Sequence, residues 1–323
     1  MRRREVIAAL SVAWWPGPAS AQKQTVPVVG LLCGTHFDDR EVGAVRQGLS
    51  EAGFVEGKNL AIEYRSAEGQ YDRLPTLAAD LVSSHVPVLI AIGGTATGLA
   101  AKAAIATIPV VFAVGGDPVK VGLVQNLNRP GGNVTGLAFL VNALGAKRLE
   151  LLHEFVPTAT SVGYLANPAN PNTASEASDV LEAASAMGQK VLVENASSPT
   201  DIDLAFGNFA QQKINAVIVA ADAFFNSRRD QFVALAARLA LPVIHDLREY
   251  VAAGALMSYG TDRTDSYRLA GVYAGRILMG ERPGDLPVMQ STKLKFVINL
   301  QTAKALGLSI PPTLLARADE VIE

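Results

Sequence analysis

Residues 92–104 read IGGTATGLAAKAA, a glycine-rich turn between an apolar run and an alanine-rich helical pattern. A turn of this kind, opening a helix, offers backbone N–H groups and the positive end of the helix dipole to an anion. Two enzyme chemistries exploit it, and both need residues that are missing here. A Walker A loop requires GxxxxGK[ST]. Gly93 and Gly98 match, but Leu99 and Ala100 stand where a lysine must meet phosphate and a hydroxyl must ligate Mg²⁺. The dinucleotide fingerprint GxGxxG needs glycine at 95 on a first strand-to-helix turn. Position 95 is threonine, and the turn follows the third apolar run. What survives is a seat for any anion, a carboxylate among them, built from Gly94, the first N–H groups of the helix and the Thr95 and Thr97 hydroxyls, with a tight turn merely capped by Thr95 as the alternative.

GGDP (115–118) is a second such turn, adding Gly116 and Asp117, although Asp117 before Pro118 could simply cap the turn that follows. Asp222 and Asp246 end apolar runs in the second half, where each could meet a ligand ammonium or cap a helix. Thr35 and Phe37 in CGTHFDD, Asn167 in ANPANPN, Phe225 in ADAFFN and Tyr259 in SYGTD complete the candidate ligand-binding set. The aromatic members would stack on a flat solute, or else simply pack. No catalytic residue is expected. The four histidines (36, 85, 153 and 245) show no HExxH or other metal spacing, no GxSxG elbow occurs, and Cys33 is the lone cysteine. The expectation is no metal and no cofactor. Arg228-Arg229 opens a helical stretch and reads as a solvated face.

These loops must be positioned by alternating strands and helices. VPVVGLLC (26–33), LAIEYRSA (60–67), VPVLIAIG (86–93), IPVVFAVG (108–115) and NVTGLAF (133–139) read as strands, with helices over 38–53, 71–84 and from Thr95. Near-continuous apolar strands between helices predict a parallel sheet covered on both faces. The pattern then restarts. SVGYLANP (161–168), a helix over 175–188, KVLVENAS, a helix over 201–213 and AVIVAAD (216–222) repeat the unit, followed by a helix over 226–240, PVIHDL (242–247) and ALMSYGTD (255–262). The tail adds a helix over 265–280 and a strand KLKFVINL (293–300). A lone helix and a lone strand must complete the two existing units, so the chain is expected to cross between them at 139–143, 259–264 and 286–292.

Bulk properties narrow the class. With 28 basic and 30 acidic residues in 323, no positive excess invites nucleic acid. The N-terminus, MRRREVIAALSVAWWPGPASA, has a basic head, a short apolar centre and small residues at Ala19 and Ala21. That is a signal peptide over 1–21, exported by the Sec or Tat route, and its centre is too short to span a bilayer. An exported protein of the periplasm, not integral to the membrane, is expected.

Several stretches carry a family resemblance: FVEGKNLAIEYRSAEGQYDRLPTLAADLV (54–82), DPVKVGLVQNLNRPGGNVTG (117–136), KRLELLHEFVP (147–157), FFNSRRDQFVALAAR (224–238), LREYVAAGALMSYG (247–260) and FVINLQTAKALGLSIPPTLLARADEVIE (296–323). Together they resemble the ABC transporter substrate-binding proteins of the type I periplasmic class, in the group that includes tryptophan/tyrosine-type binding proteins. The resemblance implies an α/β protein of two flavodoxin-like, doubly wound parallel-sheet lobes joined by a three-crossing hinge. The lobes would be 22–140 with 263–289, and 141–262 with 290–323. It also implies a monomer that captures a small amino-acid-like or aromatic carboxylate solute in the inter-lobe cleft and delivers it to the ABC permease subunits at the inner membrane. In that picture Thr95 and Gly116 hold the carboxylate, and Asp222, with Asp246 as rival, meets the ammonium. An exported sensory module, or a Rossmann-type oxidoreductase, would be the competing readings.

Overall fold

A computed structural model describes residues 26–105 and 107–323, so the signal peptide expected over 1–21 lies outside the described residues. The apolar runs become strands whose two faces are both covered by helices. In chain order the first set is β1 (Val28–Cys33), α1 (Asp39–Glu51), β2 (Ala61–Ser66), α2 (Leu74–Ser83), β3 (Leu89–Ile92), α3 (Thr95–Ala104), β4 (Val110–Val114) and β5 (Val134–Ala138). The second set begins with α4 (Gly145–Phe155), β6 (Ser161–Ala166), α5 (Thr173–Ala186), β7 (Lys190–Asn195), α6 (Pro199–Gln211) and β8 (Ala216–Val219). It continues through α7 (Ala223–Ser227), α8 (Arg229–Leu239), β9 (Val243–His245), α9 (Arg248–Ala252) and β10 (Met257–Thr261). The tail supplies α10 (Arg263–Leu278), β11 (Met289–Gln290), β12 (Leu294–Asn299), α11 (Leu300–Ala305), α12 (Pro312–Arg317) and β13 (Glu320–Ile322).

Two sheets result, ordered β11-β5-β4-β3-β1-β2 and β13-β12-β10-β9-β8-β6-β7. Setting the tail strands aside, β2-β1-β3-β4-β5 and β7-β6-β8-β9-β10 are the same order, the flavodoxin-like winding repeated in each lobe. Every pairing in the first sheet is parallel. The second sheet holds an exception to the all-parallel expectation: β12 runs antiparallel to β10, with Thr261 opposite Leu294. The reason is the route of the chain. β10 ends at the cleft, and the last passage brings β12 in from that same end, so β12 must run back against β10.

The tail divides its helix and its strand between the lobes. α10 turns Tyr267, Ala270, Tyr273, Ala274 and Ile277 onto Val42, Val45 and Leu49 of α1, at the spacing of one helical face. β12 adds Phe296 and Ile298 to the core of the second lobe. The chain passes between the sheets after Ala138, after Thr261 and after Gln290, and these passages are bonded to one another. The Thr261 hydroxyl donates to Phe139 O at 3.1 Å, and Ser291 N–H to Ala138 O at 2.9 Å. No helix of the described residues is long and apolar enough to cross a membrane.

The helix expected over 226–240 is instead two. Asp222 caps a start at Ala223, and the chain breaks at Arg228, whose φ of −114° and ψ of 18° lie outside the helical basin. The break carries Asn226 and Arg229 to the cleft, so Arg229 borders a cavity where a solvated face was expected.

Candidate functional site

In open parallel sheets the crevice lies beyond the carboxyl ends of the strands, where the winding reverses. That point falls between β1 and β3 in the first lobe and between β6 and β8 in the second. The two crevices face each other across a space bordered by residues of both lobes. Cross-lobe hydrogen bonds close the cleft: Tyr71 Oη to Asp222 Oδ2 at 2.6 Å, and Asn172 Nδ2 to Thr95 Oγ1 at 2.8 Å.

Thr95 does not cap its helix. Gly94 occupies that position, at a φ of +135° that a side chain would resist, and Thr95 begins α3. Its buried hydroxyl accepts Gly116 N–H at 3.1 Å as well as the Asn172 amide. A hydroxyl has two lone pairs and one proton. Both lone pairs are taken, and no acceptor for the proton occurs among the described residues. Thr95 therefore faces the cavity as a donor.

The two rival aspartates differ in what already occupies them. Asp222 Oδ1 accepts Asn167 Nδ2 at 3.1 Å and Phe225 N–H at 3.0 Å, while Oδ2 accepts Tyr71 Oη and Asn170 Nδ2 at 3.0 Å. Four donors fill a carboxylate. Burial raises the Asp222 pKa, and these hydrogen bonds pull it back down. Burial, then the neighbouring Asp222 charge, holds the Tyr71 phenol well above its ordinary range, so it stays a donor. Asp222 thus ties the lobes together and has no acceptor site left for an ammonium. Asp246, also buried, caps nothing, since α9 is preceded by Leu247. Among the described residues no other side chain or neighbouring N–H donates to its carboxylate, and the guanidinium of Arg263 stops 3.9 Å away. Burial raises its pKa too, against the nearby Arg263 charge. Both Asp246 and Arg263 border the cavity, and Arg263 Nη2 is buried without a hydrogen-bond partner among the described residues.

The remaining candidates scatter. Gly94 lines the cavity; Gly116 lies behind it, its N–H spent on Thr95. Asp117 caps its own turn, accepting Val119 N–H at 2.9 Å and Lys120 N–H at 3.2 Å. Thr35 borders an adjoining space, its hydroxyl donating to His36 O at 3.1 Å. Asn167 braces Asp222 from behind. The aromatics do not reach the solute space. Phe37 packs edge-on against Tyr64 at 5.3 Å, Phe225 against Phe232 at 5.3 Å in the second core, and Tyr259 against Phe296 at 6.3 Å. Apolar neighbours close at hand outcompete the cavity for each ring.

The cavity wall instead recruits Tyr71, Asn142, Asn170, Asn172, Asn226 and Arg263. The asparagine triplet of ANPANPN was a signal in plain view, because three amides in seven residues at a strand end exceed what one turn needs. Tyr71 and Arg263 carry no local signal, since each opens an ordinary helix. Asn142 is held by a buried ion pair. Arg148 and Glu176 bond to each other with both side chains almost fully buried, and Glu176 Oε2 accepts Asn142 Nδ2 at 2.7 Å. Arg148 also donates to Val141 O and Tyr259 O, each at 3.4 Å, so one guanidinium grips the first two passages. Burial pushes the Glu176 carboxyl up to about 7 against the opposing Arg148 charge.

Comparison with known proteins agrees with this geometry. A family model described as ABC transporter substrate binding protein matches residues 28–322. A tyrosine-binding protein of Clostridioides difficile (strain R20291) is 26% identical over 289 residues, covering 90% of this chain and 82% of the relative. A conserved domain protein from Vibrio cholerae superposes with a TM-score of 0.84 at 31% identity, over 92% of this chain and 100% of that one. An ABC domain from Streptococcus pneumonia, in complex with L-Trp, gives 0.82 at 26% identity, over 91% and 100%.

Proposed function

The chain belongs to the ABC transporter substrate-binding protein family, and from that premise we propose that it is the periplasmic receptor of an ABC importer for an amino-acid-like solute with an aromatic side chain. The observation that carries this reading is a pairing within one cavity. Thr95 has only a proton to give, and Asp246 has acceptor sites that no protein donor fills. An α-carboxylate at Thr95 and the N-terminus of α3, with an ammonium at Asp246, would complete both. The L-Trp complex and the tyrosine-binding relative support the ligand class. Export by the signal peptide 1–21, action as a monomer, and delivery to permease subunits when the lobes part are further parts of the proposal. The lobes, 22–140 with 263–289 and 141–262 with 290–323, would move as units about the three passages.

Calorimetric titration with L-tryptophan and L-tyrosine tests it. Asp246→Asn should weaken binding by about 2 kcal/mol while leaving thermal stability almost unchanged. Undiminished affinity would remove Asp246 from the site, and failure of the wild type to bind either amino acid would reject the ligand class.

A further inference from the structure

The direction of the hydrogen bonds that join the lobes can be worked out from one end. Asn170 Nδ2 lies 3.0 Å from both Ala221 O and Asp222 Oδ2, groups that can only accept here, while its Oδ1 receives the Asn172 backbone N–H at 3.0 Å. Which end of that amide is oxygen is therefore decided. Asn170 Oδ1 also receives Asn172 Nδ2 at 3.2 Å, so Asn172 must turn its NH₂, and not its carbonyl, toward Thr95. With Gly116 N–H on the other lone pair, the Thr95 hydroxyl has a single remaining option, which is to donate into the cleft. Gly116 also makes room for this arrival. A Cβ there would stand 2.1 Å from Asn172 Oδ1.

We propose that Asn172 is a specificity-determining residue acting through Thr95. On closure its amide makes the Thr95 hydroxyl an obligatory donor, and beside the uncapped N–H groups that open α3 this leaves no place for the NH₂ of a carboxamide, so the closed cleft favours a carboxylate there. With the lobes apart, Thr95 loses this partner and its hydroxyl is free to accept or donate. Selection for an acceptor at both oxygens is thus exerted by the second lobe on a group of the first. The proposal rests on the reading that an amino-acid carboxylate sits at Thr95, and it concerns which residue enforces that choice.

The test compares L-tryptophan and L-tyrosine with their carboxamides by calorimetric titration. Asn172→Ala should reduce the preference for acid over amide by roughly tenfold, because the hydroxyl can then accept from the amide NH₂. In a Thr95→Val background the same substitution should leave the preference unmoved. A preference unchanged in Asn172→Ala, or a drop that persists without the Thr95 hydroxyl, overturns the proposal. If the wild type binds neither amino acid, the ligand class falls separately. The same comparison with a panel of other small carboxylates and their carboxamides then decides: a preference for the acid that Asn172→Ala reduces supports the proposal, and a preference that Asn172→Ala leaves unchanged rejects it.

Discussion

The two lobes bury different kinds of polar group. Among the described residues up to Ala138, those buried are Thr35, Thr95, Thr97 and Thr135, all neutral hydroxyls. From Asn142 to Thr261 they are Asn142, Arg148, Asn167, Asn170, Asn172, Glu176, Gln189, Asp222, His245 and Asp246, with Ser258 and Thr261 as the hydroxyls. A hydroxyl is cheap to leave half-satisfied when a cleft opens, whereas a buried charge is not. The second lobe therefore supplies two of its charges with partners from within and leaves Asp246 at the cleft, 3.9 Å from Arg263. Glu176 has Arg148, and Asp222 keeps Asn167, Asn170 and the Phe225 N–H if Tyr71 withdraws. Opening costs Asp222 one hydrogen bond of four. The first lobe presents backbone and hydroxyls; the second presents a pre-assembled polar wall that can dock on them.

If that division is right, the largest effect comes from breaking the second lobe's internal charge balance. Arg148→Ala strands Glu176 and should cost about 3–5 kcal/mol of stability in chemical denaturation. Removing the exposed first-lobe pair Arg46–Glu56, 2.6 Å apart, should cost less than about 1 kcal/mol. Equal losses would erase the distinction.

Acid also titrates a buried histidine of the second lobe. Burial pushes His245 from its ordinary 6.5 down to about 3, and its ring stacks on Tyr250 at 3.8 Å. The unfolded chain then binds the extra proton, so this contribution is complete above about 6.5 and is lost as pH falls toward 3. Glu176, raised to about 7, takes up its proton in the folded chain over part of the same range and opposes this loss, so the histidine is read by substitution. Hydrogen exchange between pH 7 and pH 4 should show His245→Gln making second-lobe amides less sensitive to acid than in the wild type, and an unchanged dependence on pH would contradict the assignment.

A smaller effect tests the docking itself. Gly116→Ala places a methyl against Asn172 and should weaken solute binding by about 1–3 kcal/mol while the melting temperature holds, with a larger radius of gyration by X-ray scattering in saturating L-tryptophan. The smallest is Tyr71→Phe. It removes the cross-lobe donor to Asp222, and titration should register about 1 kcal/mol; a loss as large as that of Asp246→Asn would mean that Tyr71 touches the solute directly.

Strands and helices were legible in the chain because periodicity is local. The anion seat at Gly94 and Thr95 and the asparagine loop at 166–172 could be placed at strand ends for the same reason. The roles of individual groups were not legible. Asp222 and Asp246 both end apolar runs, yet one is saturated by four donors and the other is left open, and three of the four belong to residues 52 or more positions away. Phe37, Phe225 and Tyr259 looked available in their loops, but each found a ring to pack against that lies far off in sequence for two of them. Arg229 looked solvated until a break at Arg228 turned it inward.

By itself, then, the sequence determined a duplicated α/β architecture and the loops that would meet, since apolar spacing and turn residues act over a few positions. Tertiary structure decided which of those groups remain open to a solute. Whether a carboxylate or a hydroxyl is free depends on donors brought from distant parts of the chain, and the direction of Thr95's hydrogen bond exists only once Asn172 arrives beside it.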